Sequence, residues 1–129
     1  MQVRENQVAA VIVDAAYRIH RGVGPGLFES VYTMLMTHEL AKRGLSIERE
    51  KAVPLVYDGI RFHIGFRLDL LVEDCVIVEL KSVEKLASVH RAQVLTYLRL
   101  TGKRLGLLIN FGSEMIRDGV ARVVNGLPE

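Results

Sequence analysis

Arg67-Leu68-Asp69-Leu70-Leu71-Val72-Glu73-Asp74-Cys75-Val76-Ile77-Val78-Glu79-Leu80-Lys81 reads as two apolar strands joined around an acidic turn. Side chains alternate along a strand, so Cys75, Ile77, Glu79 and Lys81 point to one face and Val76, Val78 and Leu80 to the other. An apolar strand that places Glu and Lys together needs a reason, because buried charge is costly unless it is paired or bound to metal. A strand end reaching solvent would explain an isolated Glu-x-Lys. Asp69, inside the preceding apolar run, adds a second carboxylate. Two carboxylates on adjacent strands can hold one hard cation such as Mg2+ or Mn2+. A lysine beside them can stabilise the charge of a hydrolytic transition state or orient the water.

Register makes this testable. A two-residue turn at Glu73-Asp74 would pair Asp69 with Val78 and send Asp69 to the wrong face. An odd loop such as Glu73-Asp74-Cys75 would set Asp69 opposite Glu79. The spacing therefore predicts a three-residue loop or a bulge.

Working outward, Ile47 to Tyr57 reads as a partly polar strand, with Pro54 marking an edge or a bulge. Asp58-Gly59 is a turn signal before the strand Ile60 to Val72. Upstream, Val8, Ile12, Ala15 and Ile19 form the stripe of a helix from about Glu5 to His20, stopped by Arg21-Gly22-Val23-Gly24-Pro25-Gly26. A second helix is expected from Leu27 to Arg43, with Val31, Leu35 and Leu40 on its buried side, and Gly44 closing it. Downstream, a third helix from Val83 to Leu100 ends at Gly102. Leu105 to Phe111 is apolar enough for a strand covered on both faces, and Val120 to Val124 suits a last short strand. The order α-α-β-β-β-α-β describes an α/β domain, residues 1–129, with a mixed sheet flanked by helices.

Composition narrows the class. Of 129 residues half are hydrophobic and a quarter charged, and the net charge is +2, which permits a polyanionic partner without demanding one. No run approaches a membrane span, and the N-terminal segment lacks the pattern of a secretion signal. The single Cys75 forms no internal disulfide and reads as a buried, inert thiol. With no CxxC pair a zinc ribbon is excluded. These features suit a reducing cytoplasm. His20 and Arg21 precede a helix start, where phosphate binds well, but the spacing is neither a P-loop nor a dinucleotide fingerprint. His38 and His63 have no partners at metal-ligand spacing. Lys85, Arg91, Arg99, Lys103 and Arg104 could line a nucleic-acid path, or form a solvated face.

Asp69 followed by Glu79-Leu80-Lys81 resembles the signature of the PD-(D/E)XK nuclease superfamily, with Leu68-Asp69 in place of its Pro-Asp. Gln93-Val94-Leu95-Thr96-Tyr97 is similar to the QxxxY element of the RecB-like branch. Gln93 and Tyr97 share a helix face, and His90 joins the same stripe. Gly26-Leu27-Phe28-Glu29-Ser30-Val31-Tyr32 reads as GxxExxY, and together these motifs resemble the small GxxExxY family across nearly the whole chain, Leu107 to Gly112 included.

The resemblance implies a restriction-endonuclease-like core and a Mg2+- or Mn2+-dependent nuclease acting on DNA. A nuclease-fold binding or accessory protein without catalysis is the alternative. Asp69 and Glu79 would hold the metal with Glu29 and the Leu80 carbonyl, Lys81 would stabilise developing charge, and Gln93 would position water. Tyr32, His90 and Tyr97 would support them. RecB-like nucleases often carry histidine where Glu29 stands. Many nucleases of this fold work as dimers, so a homodimer is among the expectations.

Overall fold

The computed structural model describes residues 3–128. Helices α1 (Arg4–Val23) and α2 (Glu29–Lys42) are followed by strands β1 (Ile47–Tyr57), β2 (Ile60–Val72) and β3 (Val76–Lys81). Helix α3 (Ser88–Thr101), β4 (Leu105–Asn110), a short 3-10 turn (Ile116–Gly119) and β5 (Val120–Val124) complete the order. This is the expected succession with the last strand present. The five strands lie in the order β1-β2-β3-β4-β5. β3 and β4 are parallel, linked by α3, and the other neighbours are antiparallel. The sheet is mixed because a helical crossover joins the one parallel pair, whereas tight turns join antiparallel neighbours.

Apolar alternation builds two cores. Val76, Val78 and Leu80 of β3 join Leu105, Leu107 and Ile109 of β4 under α1 and α2. The stripe Val8, Ile12, Ala15 and Ile19 is buried there as expected. On α2 the buried stripe is Tyr32, Met36 and Leu40, one turn apart each, while Val31 and Leu35 are only half-buried. On the other face Leu71, Ile77 and Leu108 pack against Val94 and Leu98 of α3.

Several boundaries differ from the sequence reading. α1 runs on through Arg21 and Gly22 to Val23, three residues past His20, before Gly24 with its positive φ ends it. α2 begins at Glu29 rather than Leu27, because the Leu27 carbonyl and N–H are taken by side chains. α3 begins at Ser88 rather than Val83, because the Asn110 carboxamide captures both backbone groups of Val83. β3 begins at Val76, leaving Cys75 half-buried in the turn, where desolvation raises its thiol pKa.

That turn is the three-residue loop the metal-site reading required. Val72 pairs with Val76, Leu71 with Ile77 and Leu70 with Val78. Glu73 and Asp74 both adopt left-handed φ, +51° and +55°. Glu73 is held there by a reciprocal pair of bonds with Ser46. Its N–H donates to the Ser46 carbonyl (2.8 Å), and its carboxylate accepts the Ser46 N–H (2.6 Å). That bond keeps the Glu73 carboxyl below the usual carboxylate range.

β1 and β2 run on past the rest of the sheet as a two-stranded ribbon. Pro54 sits where the register shifts, between Val53 and Leu55, on an edge strand. The ribbon bulges opposite it, and Gly65 passes so close that a Cβ there would lie 2.4 Å from Leu55 Cβ. Asp58-Gly59 forms the tip, both with positive φ.

Candidate metal centre

The site begins where β2 loses its ladders. Pairing with β3 ends at Leu70–Val78, and the pairing with β1 skips Glu50 and Asp69, Glu50 having a left-handed φ of +51°. The alternation breaks at the same place. Leu70 and Val72 face α1 and α2, whereas Leu68 and Phe66, of the same parity, pack on the α3 side. Asp69 is left with its backbone and carboxylate turned to the end of β3.

Continuing the β2–β3 register sets Asp69 opposite Glu79. The Asp69 carboxylate accepts the Leu80 N–H at 2.8 Å, doing what the next backbone carbonyl of the ladder would do. The Asp69 N–H approaches Glu79 Oε1 at 3.4 Å. Glu79 is 4% exposed. Burial first, and then its hydrogen bond to Asp69 and the Asp69 charge, push its pKa up to about 9. The Lys81 ammonium on the same face offsets part of this. Buried beside a second carboxylate, Glu79 therefore keeps its proton at neutral pH. A divalent cation could replace that proton, and hard oxygen donors suit Mg2+ or Mn2+. Mg2+ in particular needs only one or two carboxylates when substrate phosphate and water complete its shell.

α3 closes the site from above. Tyr97 stacks on Phe66, with ring centroids 4.6 Å apart, and its pKa is raised by burial and by the Glu79 and Asp69 charges. Gln93, one turn earlier, is exposed to solvent. His90 serves the start of the helix, its Nδ1 accepting the Ala87 N–H at 3.0 Å.

The glycine-rich segment before α2 is tied to the same end of the sheet. Ser82, just after Lys81, donates from its hydroxyl to the Leu27 carbonyl (2.6 Å). Tyr32 is fully buried and stacks on Phe111 at 4.3 Å. Its hydroxyl donates to the Gly24 carbonyl (2.6 Å) and accepts the Leu27 N–H (3.2 Å). The tyrosine of the GxxExxY stretch is therefore a clamp on the loop. Glu29 is exposed in the first turn of α2. Among the described residues no three His, Cys, Asp or Glu side chains gather as ligands, so the acid pair stands without a third.

Other candidates go elsewhere. The His20 Nε2 donates to the Ser113 carbonyl at 2.8 Å. Arg104 makes a two-pronged pair with the buried Glu5 (2.7 and 2.9 Å), holding the Glu5 carboxyl below its usual range. Lys103 meets Asp74 at 3.3 Å. These two cations join α1 and the β2–β3 loop to the start of β4.

Asn110 is a residue that sequence reasoning misses. It is fully buried beside Lys81 on the parallel neighbour β4. Its Oδ1 accepts the N–H groups of Val83 and Gly112, both at 3.0 Å. Its Nδ2 donates to the Val83 carbonyl (2.9 Å) and Ser113 Oγ (3.2 Å). An asparagine ending the apolar strand Leu105-Gly106-Leu107-Leu108-Ile109-Asn110 is the signal that could have marked it.

The comparisons agree with this geometry. The chain matches the PD-(D/E)XK nuclease superfamily over residues 6–123. It belongs to that superfamily. Searches of curated proteins and of solved structures returned no match.

Proposed function

We propose that the protein is a Mg2+- or Mn2+-dependent nuclease that hydrolyses DNA phosphodiester bonds. The observation that carries this reading is the pairing of the buried Glu79 with the half-buried Asp69, with Lys81 on the same face. Asp69 and Glu79 would hold the cation, with the Leu80 carbonyl as a further oxygen donor. When bound, the cation would supply Lewis-acid charge at the scissile phosphate and lower the pKa of a water. Lys81 would stabilise charge developing on the phosphate oxygens. Gln93, at the solvent side of α3, would orient the attacking water, and Tyr97 would limit water around the carboxylates. His90 and Tyr32 support the elements on either side. Glu29, the remaining acid of the expected set, is exposed in the first turn of α2, two residues after the Leu27 whose carbonyl accepts the Ser82 hydroxyl, and would join the metal only through its reach.

No helix among the described residues is long and apolar enough to cross a membrane. The lone thiol of Cys75 is consistent with a reducing cytoplasm, where we place the protein.

Cleavage of single- and double-stranded DNA with Mn2+ tests the reading, with wild type beside Glu79→Ala and Lys81→Ala. Loss of activity in both variants is expected. Equal traces in all three would mean contamination and end the nuclease reading. A binding protein that kept only the nuclease fold is the second reading, favoured by the lack of a third acidic ligand among the described residues. Calorimetric titration separates them: no heat at millimolar Mg2+ or Mn2+ supports the second.

A further inference from the structure

Phe28 stands where neither packing nor local structure calls for an aromatic ring. It is 81% exposed, the highest value among the large hydrophobic side chains of the described residues. It is also the N-cap of α2 and makes no capping hydrogen bond. That position favours Ser, Thr, Asp or Asn, whose oxygens satisfy the free N–H groups of the first turn. Phe28 thus forgoes both burial and capping, and a residue that breaks a local rule without structural return points to function.

Its backbone is held. The Leu27 N–H donates to the Tyr32 hydroxyl (3.2 Å), and the Leu27 carbonyl accepts the Ser82 hydroxyl (2.6 Å). The Phe28 carbonyl accepts the N–H groups of Val31 (3.0 Å) and Tyr32 (3.3 Å). Tyr32 is itself fixed by its stack on Phe111. The ring is therefore presented to solvent on a rigid support. The place of that support matters too. Ser82, which grips Leu27, directly follows Lys81 at the end of β3.

We propose that Phe28 stacks on an unpaired nucleobase beside the phosphate at the metal centre, so that the substrate is single-stranded DNA or the unpaired end of a duplex. This rests on the nuclease reading and names its substrate class. A nucleobase is flat and apolar on both faces, and stacking on an aromatic ring tolerates any base. In an intact duplex both faces are covered by neighbouring pairs, so only an unpaired base can offer one. Charge suits the strand on either side. Arg21, just before the loop, and Lys85, three residues past Ser82, are exposed, and neither has an ion pair among the described residues. A ring accompanied by free cations is what a single strand requires. Glu29 and Ser30, next along the chain, are exposed and polar, which leaves too narrow an apolar surface for a protein partner.

The chain contains no tryptophan, so Phe28→Trp places a lone indole reporter at the position in question. The full-length variant is titrated with an oligothymidylate of about 12 nucleotides, within the range one such groove spans. Ca2+ is present as a hard cation of looser geometry than Mg2+. Indole fluorescence should be quenched to saturation, and an abasic strand of the same length should leave it unchanged. Anisotropy of a labelled strand gives affinities for wild type and variants. Phe28→Tyr should bind as wild type does. Phe28→Leu, apolar but not planar, should bind roughly ten- to a hundredfold more weakly, the worth of one stacked base. Phe28→Ser should lose as much without any fall in melting temperature, since serine caps the helix. In Mn2+, Phe28→Leu should raise KM for the single strand by the same factor and leave kcat unchanged.

An unquenched indole, or equal binding of intact and abasic strands by wild type, would overturn the proposal whether or not the protein cleaves DNA. Cleavage of closed circular duplex as fast as single strand, with KM indifferent to Phe28→Leu, would overturn it and leave the nuclease reading intact. Quenching and base-dependent binding with no cleavage in Mn2+ would support the stacking role and overturn the nuclease reading alone.

Discussion

Replacing Glu79 with glutamine should stabilise the metal-free protein, and increasingly so as pH rises. Glu79 titrates at about 9 in the folded chain against an ordinary 4.5, because burial and Asp69 disfavour its anion. The unfolded chain gives up this proton near pH 4.5, so above that pH folding must take one up. Stability is therefore full below pH 4.5, falls as pH rises toward 9, and levels beyond it. At about 1.4 kcal/mol per pH unit, the two and a half units between 4.5 and 7 cost about 3.5 kcal/mol as an upper figure. The glutamine carries no proton to take up, and its amide can still donate to Asp69. At pH 7.5 the Glu79→Gln variant should melt about 5–10 °C above wild type, and near pH 4.5 the two should coincide. Adding Mg2+ should raise only the wild type and close the gap. Differential scanning calorimetry from pH 4.5 to 9 measures both. Melting curves that stay parallel across this range would refute the claim that Glu79 is a destabilised acid in a dry site.

Metal binding should release close to one proton at pH 7, since Glu79 must give up its own to become a ligand. Calorimetric titration in buffers of different ionisation heat reads this directly, and the apparent affinity should rise about tenfold per pH unit below pH 9. Asn110→Ala should cost about 2–4 kcal/mol in urea denaturation, because it strands the N–H and C=O of Val83 at once. Gly112→Ala should be at least as harmful, since its Cβ would sit 2.2 Å from the Val83 carbonyl oxygen. Tyr32→Phe should cost about 1–2 kcal/mol by freeing the Gly24 carbonyl and the Leu27 N–H, and should raise hydrogen exchange through residues 24–28.

Several features were legible in the chain alone. Alternation put Glu79 and Lys81 on one face of β3, and parity then demanded an odd loop if Asp69 was to join them. The loop Glu73-Asp74-Cys75 meets that demand. Helical spacing showed the buried stripe of α1, and Pro54 marked an edge strand and its bulge. Such features follow from local periodicity and backbone chemistry, which act within a few residues. The superfamily was likewise readable in Asp69, Glu79-Leu80-Lys81, Gln93 and Tyr97 taken together.

Other features came from contacts between distant segments. Val83 had the pattern to begin α3, but the Asn110 carboxamide takes its backbone groups before the helix can. Tyr32 looks as much like a site residue as a core one until its stack on Phe111 and its hold on the Gly24–Leu27 loop are seen. Lys103 and Arg104 resemble members of a basic path but are engaged by Asp74 and Glu5. The sequence alone determined which residue types alternate, where helices must stop and that two carboxylates could meet. Only the tertiary structure decided that Glu79 is buried against Asp69 and keeps its proton, that Glu29 stays at the surface, and that Phe28 lies bare on a held loop. Burial and charge pairing depend on what the rest of the chain brings near, and no local pattern encodes that.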